Sequence, residues 1–469
     1  MASTLNIALQ NQSTSSSVYA YITGLAIQNN SRLFLLQSDG KTYYYPVSPS
    51  SGNSPLAQNC AIHLGNPGST VNVTVPQLAG ARIWFSIGSP LVFYLNPGPA
   101  LVSPSLTNPS DPNYNLSWDF CEFTFNNAGL YANISYVDFV CLPVSLSLTN
   151  MSGVTTNVPG MPANGLATVS SGLQAQTASD KQGWGSLIVT TSNGQNLRVL
   201  SPNNGIVRNN TLFLGYFEPY VTQVWERFTS SSVTINTPGF GSLQGQVSGQ
   251  NQVTVGGEVF NRPTTADIFS CSTGPFAAGS DAKRNNLIPL LAAAFNRSTF
   301  LNSPTQPAPL SAFYKETITN HYSRIVHAAN VDGRGYAFPY DDVSPEGGPD
   351  QSGEVNDPNP GLFTVAVGGG NTQWPVKAIH TELRREKGGQ AAAEPQDEKA
   401  LDQAGHASAP PAATAVATEA TEATAVTATT AAAKPPASGP EATRKPKTGN
   451  IFRRFSRRFI RRFRRGLTD

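Results

Sequence analysis

The sequence predicts a mainly β protein with a mixed α/β part, and three observations carry that reading. The front of the chain is built of short apolar or alternating runs, SVYAYITGLAI, RLFLLQS, KTYYYPV, TVNVTVPQL, ARIWFSI and LVFYLN, with turn residues between them. Its 469 residues include 41 Gly and 36 Pro, which punctuate it too often for a helical bundle. Helical periodicity is confined to the middle, in FEPYVTQVWERFTS (217–230), KRNNLIPLLAAAFNRS (283–298) and SAFYKETITNHYSRIV (311–326).

Taken in order, the runs of residues 1 to about 150 read as strands of an antiparallel sandwich or barrel, with SDGK at 38–41 as a hairpin turn. Residues 150–182, rich in Ser, Thr, Gly and Asn, read as a crossing loop. GSLIVTT and QNLRVLSP then read as strands, and QGQVSGQNQVTVGGEVF as a hairpin among the helices. RGYAFPYDDV and GLFTVAVGG return to short strands. The simplest arrangement is a β domain begun by residues 1–165 and completed by 325–383, with a mixed α/β domain inserted at 166–324.

Beyond residue 383 the composition changes. Residues 384–449 are Ala, Thr and Pro rich with few large apolar side chains, the signature of a disordered linker. In residues 450–469, Phe452, Phe455, Phe459 and Phe463 step by three, four and four among eight Arg. That pattern makes a basic amphipathic helix suited to an anionic membrane surface or another polyanion. Charge divides the same way. Of 31 Lys+Arg and 29 Asp+Glu, 16 and 9 fall in 384–469, leaving 15 and 20 ahead of them, so the net charge of +2 describes neither part.

The segment WDFCEFTFNNAGLYANISYVDFVCLP holds two acids, Glu122 and Asp138, each inside an aromatic and apolar run. Strand alternation puts Glu122, Thr124 and Asn126 on one face, with Phe123 and Phe125 on the other. The same rule groups Tyr136, Asp138 and Val140. A hairpin centred on Leu130 would set Glu122 opposite Asp138, with β-carbons roughly 5 Å apart, or about 7–8 Å on the diagonal. Two carboxylates so placed among aromatics would differ in protonation, which suits glycosidic hydrolysis. Spacing alone favours the plainer alternative of two acids on a solvated sheet face.

The block WDFCEFTFNNAGLYANISYVDFVCLPVSLSL resembles the catalytic region of glycoside hydrolase family 64. NPSDPNYN upstream, the early strand runs and YAFPYDDVSPEGG at 336–348 extend the likeness over about residues 3–383. The resemblance implies a thaumatin-like β-barrel beside a mixed α/β domain. It implies an inverting endo-hydrolase of β-1,3-glucan working in a wide groove between them. Glu122 would be the general acid and Asp138 the general base. Thr124 and Asn126 would line the groove, Tyr131 would stand where some members have Trp, and Ser135 would replace a Thr. Asp111, Asp341 and Asp342 resemble further acids of the cleft, and turn or cap chemistry is the alternative for each. A non-catalytic glucan-binding protein of the same fold is the rival reading, and a lectin-like structural protein a distant third.

Other chemistries find no pattern. The histidines form no HExxH, no GxSxG occurs at a predicted elbow, and GGG at 368–370 lacks a Walker-type Lys. Cys60, Cys121, Cys141 and Cys271 form no CxxC, so no metal or other cofactor is expected. A Cys121–Cys141 disulfide, or one from either to Cys60, stays open. No nucleic-acid partner is expected, and the protein is expected to be a monomer. The resemblance implies an extracellular or cell-wall location, whereas MASTLNIALQ lacks the pattern of an export signal.

Overall fold

A computed structural model describes residues 3–249 and 251–369. The expected linker at 384–449 and the basic segment at 450–469 lie outside these residues, as does the end of the 325–383 stretch. The described chain is mainly β, with several sheets and a smaller set of helices.

Two large sheets share the front core. The first has five strands in the order Thr155–Val158, Val144–Asn150, Pro360–Val367, Thr4–Asn11 and Thr70–Pro76. Here Thr4–Asn11 runs parallel to Pro360–Val367, with Ile7 opposite Phe363, and antiparallel to Thr70–Pro76. The second sheet runs from Glu354–Asp357 through Gly129–Ile134, Ser117–Asn126, Leu78–Ile87 and Val18–Ala26 to Arg32–Leu36 and Tyr43–Tyr44. Strands near both ends of the described chain thus complete both sheets. Alternation along Ser117–Asn126 drives the packing, for Phe123 and Phe125 are buried whereas Glu122, Thr124 and Asn126 stay partly exposed. The Phe123 and Phe363 rings lie 6.1 Å apart between the sheets.

The expected turn at SDGK is present. Gly40 takes a left-handed φ of 68°, the Asp39 carboxylate accepts the N–H groups of Lys41 and Thr42, and Leu36 pairs with Tyr43. Helices Glu218–Ser230 and Ala282–Asn296 also match expectation. The second is buried without a break from Leu287 to Asn296, so it is a core helix with no solvent face over that stretch. QGQVSGQNQVTVGGEVF, expected as one hairpin, extends into a meander of Val233–Thr237, Gly241–Val247, Gln252–Val255 and Glu258–Asn261.

Three segments depart from expectation. The crossing loop at 150–182 contains a sixteen-residue helix, Gly165–Asp180. Its small residues give little hydrophobic periodicity because close approach is their use: a β-carbon at Gly172 would meet Ile325 Cγ2 at 2.8 Å. The helix expected over 311–326 begins only at His321, where the Asn320 side chain accepts the Ser323 N–H, and it runs to Ala329. RGYAFPYDDV is a folded turn and not a strand. Among the described residues of the segment, Tyr336 makes an isolated bridge to Ser135, just past the strand Gly129–Ile134, and Tyr340 adopts φ 77°. The segment folds around a carboxylate, for Asp341 is fully buried and accepts the Ala337 N–H at 3.1 Å.

Candidate active site

The outward face of the larger sheet carries a polar row in which Thr23, Arg82, Glu122, Asn133 and Glu354 lie directly opposite one another across five strands. Directly opposite residues share a face, so these side chains form one line. At its centre Arg82 donates to Glu122 Oε1 from Nε at 3.1 Å and from Nη2 at 3.0 Å. The side chains are 14% and 24% exposed, so the pair is partly shielded yet open to solvent. The guanidinium carbon sits 4.4 Å from the Phe120 ring centre and 5.2 Å from that of Trp84. Trp84 is itself fixed by its Nε1–H on Thr23 Oγ1 at 3.0 Å.

The hairpin register differs from the expected one. Asn126 pairs with Gly129 and Phe125 with Leu130, a turn through Asn127 and Ala128, so the residue opposite Glu122 is Asn133. Asp138 lies past this strand, in the bend before Phe139–Val140. Its backbone carbonyl accepts the Ser201 N–H at 2.8 Å, and Asn204 Nδ2 donates both to that carbonyl and to Oδ1, each at 3.1 Å. Ser201 caps the short helix Pro202–Arg208 that carries Asn204. Asp138 is half-buried.

Thr124 stands opposite Tyr131, one step along from Glu122. Burial, with the nearby Glu354, Asp342 and Asp350 carboxylates, raises the Tyr131 phenol far above its usual range and keeps it neutral. Asn126 Oδ1 accepts the Ala128 N–H at 2.7 Å and shapes the hairpin tip. Ser135 is buried at the bridge to Tyr336. Asp111 accepts the Asn113 and Ser105 N–H groups, which is turn chemistry.

Asp341 and Asp342 part company. Expected to line the cleft, Asp341 is 0% exposed and faces inward, with Oδ1 on Arg297 Nη2 at 2.9 Å and Oδ2 on His327 Nε2 at 2.8 Å. No sugar reaches a carboxylate so enclosed. Asp342 points elsewhere, and neither of its oxygens finds a hydrogen-bond partner among the described residues. Burial, then the charge of Asp350, pushes its carboxyl up to about 8. Burial likewise lifts Asp350 to about 6. The Asn133 Nδ2 group, beside Glu122, is also buried without a partner among the described residues.

The open disulfide question is answered by four unpaired, buried thiols; Cys141 Sγ donates to Leu197 O at 3.1 Å. Burial pushes Cys60 and Cys141 up to about 12. Among the described residues no group of three or more His, Cys, Asp or Glu is placed to hold a metal, and no helix is long and apolar enough to cross a membrane. An apolar cavity lined by Val224, Trp225, Phe228, Val255, Phe260 and Phe295 lies under the meander and includes neither Glu122 nor Asp138. Arg82 and Asn133 stand outside the residues that the sequence singles out for the site. Arg82 was visible as a lone charge within the apolar strand ARIWFSI, and Asn133 was hidden by the misplaced register.

Comparison with known proteins adds an independent line. The family model described as Beta-1,3-glucanase, Glyco_hydro_64, matches residues 3–367. Two glucan endo-1,3-beta-glucosidases, of Arthrobacter sp. (strain YCWD3) and Cellulosimicrobium cellulans, are each 29% identical over 322 residues, covering 65% of this chain. The matched part spans 57% of the length of those relatives. Among solved structures, a laminaripentaose-producing β-1,3-glucanase in complex with laminaritetraose superposes with a TM-score of 0.70 at 28% identity, over 78% of this chain and 99% of that one. A β-1,3-glucanase domain from Clostridium beijerinckii shares the fold, with a TM-score of 0.60 at 21% identity over 78% and 98% of the two chains.

Proposed function

The chain belongs to the β-1,3-glucanase family Glyco_hydro_64, and from that membership we propose that it is an endo-β-1,3-glucanase that inverts the anomeric centre. The observation that carries the reading is the placement of two half-buried acids. Glu122 is held by Arg82 on the open sheet face, and Asp138 is held by Asn204 in the bend beyond the paired strand.

In this mechanism protonated Glu122 delivers its proton to the glycosidic oxygen as the bond from that oxygen to C1 breaks. Asp138 takes a proton from a water whose oxygen attacks C1 from the opposite side. One water is consumed, one new sugar hydroxyl and one inverted hemiacetal appear, and the two carboxyls later exchange their protons with solvent. Inversion needs carboxyls roughly 6.5–9.5 Å apart to admit that water. The observed register removes the direct cross-strand pairing of Glu122 with Asp138, and the anomer of the fresh product reports which separation the two carboxyls adopt.

Thr124 and Asn126 offer hydrogen bonds to sugar hydroxyls and Tyr131 an aromatic flank, whereas both carboxyl oxygens of Asp342 are buried. Asp111 and Asp341 hold the turns that contain them, and Ser135 lies at the bridge to Tyr336. We read the two large sheets as a thaumatin-like domain formed by the described residues of 1–165 and 325–369, and 166–324 as the mixed domain on the other side of the groove. The pairing of Pro360–Val367 with Thr4–Asn11 supports that division.

Laminarin hydrolysis by wild type and Glu122→Gln tests the activity. The wild type is expected to release oligosaccharides and the variant to lose roughly 10²-fold or more in kcat. Absence of turnover in both would leave a glucan-binding protein. Proton NMR of fresh product is expected to show α-anomers first, and β-anomers would rule out inversion.

A further inference from the structure

We propose that Arg82 is a positioning residue for proton donation by Glu122, selecting which carboxyl oxygen carries the transferable proton. The inference rests on the reading of Glu122 as general acid.

An Arg fork normally meets a carboxylate with two donors on two oxygens. Here both donors, Nε at 3.1 Å and Nη2 at 3.0 Å, converge on Oε1, and Oε2 receives neither. A proton on Oε1 would confront two N–H groups, so it resides on Oε2. The guanidinium cannot easily swing to even out the contacts, because it is stacked over Phe120 and Trp84 and Trp84 is tied to Thr23. Cross-strand pairing also fixes the spacing, with Arg82 directly opposite Glu122 in the register of Leu78–Ile87 with Ser117–Asn126.

The consequence is chemical as well as geometric. When the Oε2 proton passes to the leaving oxygen, the carboxylate left behind faces a fixed positive charge, an interaction stronger in the transition state than in the ground state. Losing Arg82 should therefore slow only those substrates whose leaving group needs a proton.

Laminarin needs one, whereas 2,4-dinitrophenyl β-laminaritetraoside, with a stable phenolate leaving group, does not. Arg82→Met is expected to lose roughly 10²-fold in kcat on laminarin, with KM within about threefold, and to keep close to wild-type kcat on the dinitrophenyl substrate. Arg82→Lys, which retains charge but loses the planar fork, is expected to lose about tenfold on laminarin alone. If Arg82→Met does not give a cooperative thermal transition, Arg82→Lys carries the comparison.

Equal losses on both substrates would assign Arg82 a purely structural role and overturn the proposal, as would unchanged laminarin turnover. Glu122→Gln separates the two levels of inference. If it shows the leaving-group pattern while the Arg82 variants do not, the positioning role fails and Glu122 stands. If it keeps full laminarin activity, the reading of Glu122 fails first.

Discussion

Asn204 holds Asp138 through one amide group, its Nδ2 lying 3.1 Å from both the backbone carbonyl and Oδ1 of the acid. The amide fixes the bend that presents the carboxylate and leaves Oδ2 outside this contact. Asn204→Leu is expected to reduce kcat on laminarin by about 10- to 100-fold with little change in KM, since a misplaced base costs rate more than binding. Loss of the buried hydrogen bonds should cost about 1–3 kcal/mol in urea unfolding. Unchanged kcat would show that Asp138 needs no such anchor.

Removing the base itself gives a chemically distinct result. Asp138→Asn is expected to lose roughly 10²- to 10⁴-fold in kcat. Azide, which needs no deprotonation, should restore part of the rate and yield a glycosyl azide of inverted configuration. Mass spectrometry and NMR of the product read this out, and an azide of retained configuration would contradict the mechanism.

The buried Arg297–Asp341–His327 cluster makes a prediction about stability alone. Burial tends to raise the Asp341 carboxyl, but His327, Arg297 and the Ala337 N–H outweigh it and hold the group below its ordinary value. A depressed native value means that the stabilisation is present above the unfolded value near ~3.9 and is lost as pH falls through the native one. Asp341→Asn should therefore cost about 3–5 kcal/mol at pH 7, the scale for breaking a buried ion pair. The gap from wild type should narrow below about pH 4 in thermal melts.

Asp342 carries the opposite sign. With its carboxyl pushed up to about 8, mainly by burial, it is neutral in the folded protein at pH 6 but ionised once unfolded. Stability tied to it is complete below the unfolded value and declines as pH rises toward about 8. Asp342→Asn removes this penalty, so its Tm relative to wild type should be higher at pH 8 than at pH 4. A difference that does not change with pH would mean that the carboxyl is hydrated and ionised.

What could be read from the sequence follows from which signals are local. The period-two rule placed Phe123 inward and Glu122 outward because alternation needs no knowledge of partners. The cross-strand partner of Glu122 was misassigned because register depends on turn geometry, and a two-residue turn at Asn127 and Ala128 moved it from Asp138 to Asn133. Helix Gly165–Asp180 is hidden because Gly172 serves close packing against Ile325 and the surrounding Ser and Thr residues read as loop by composition. Asp341 and Asp342 were indistinguishable as neighbouring letters. Only the folded turn sends one to Arg297 and the other to a place without a partner.

The parallel pairing of Thr4–Asn11 with Pro360–Val367 also sets a timetable. Until residue 360 and its successors have left the ribosome, the first strand keeps one side of its backbone unmatched while more than three hundred residues are made. Its apolar side chains Leu5, Ile7 and Leu9 wait with it. Premature termination before the closing strand would release a chain with a sticky rim, so truncated products should aggregate, and heterologous production should gain from slower synthesis or chaperone supply.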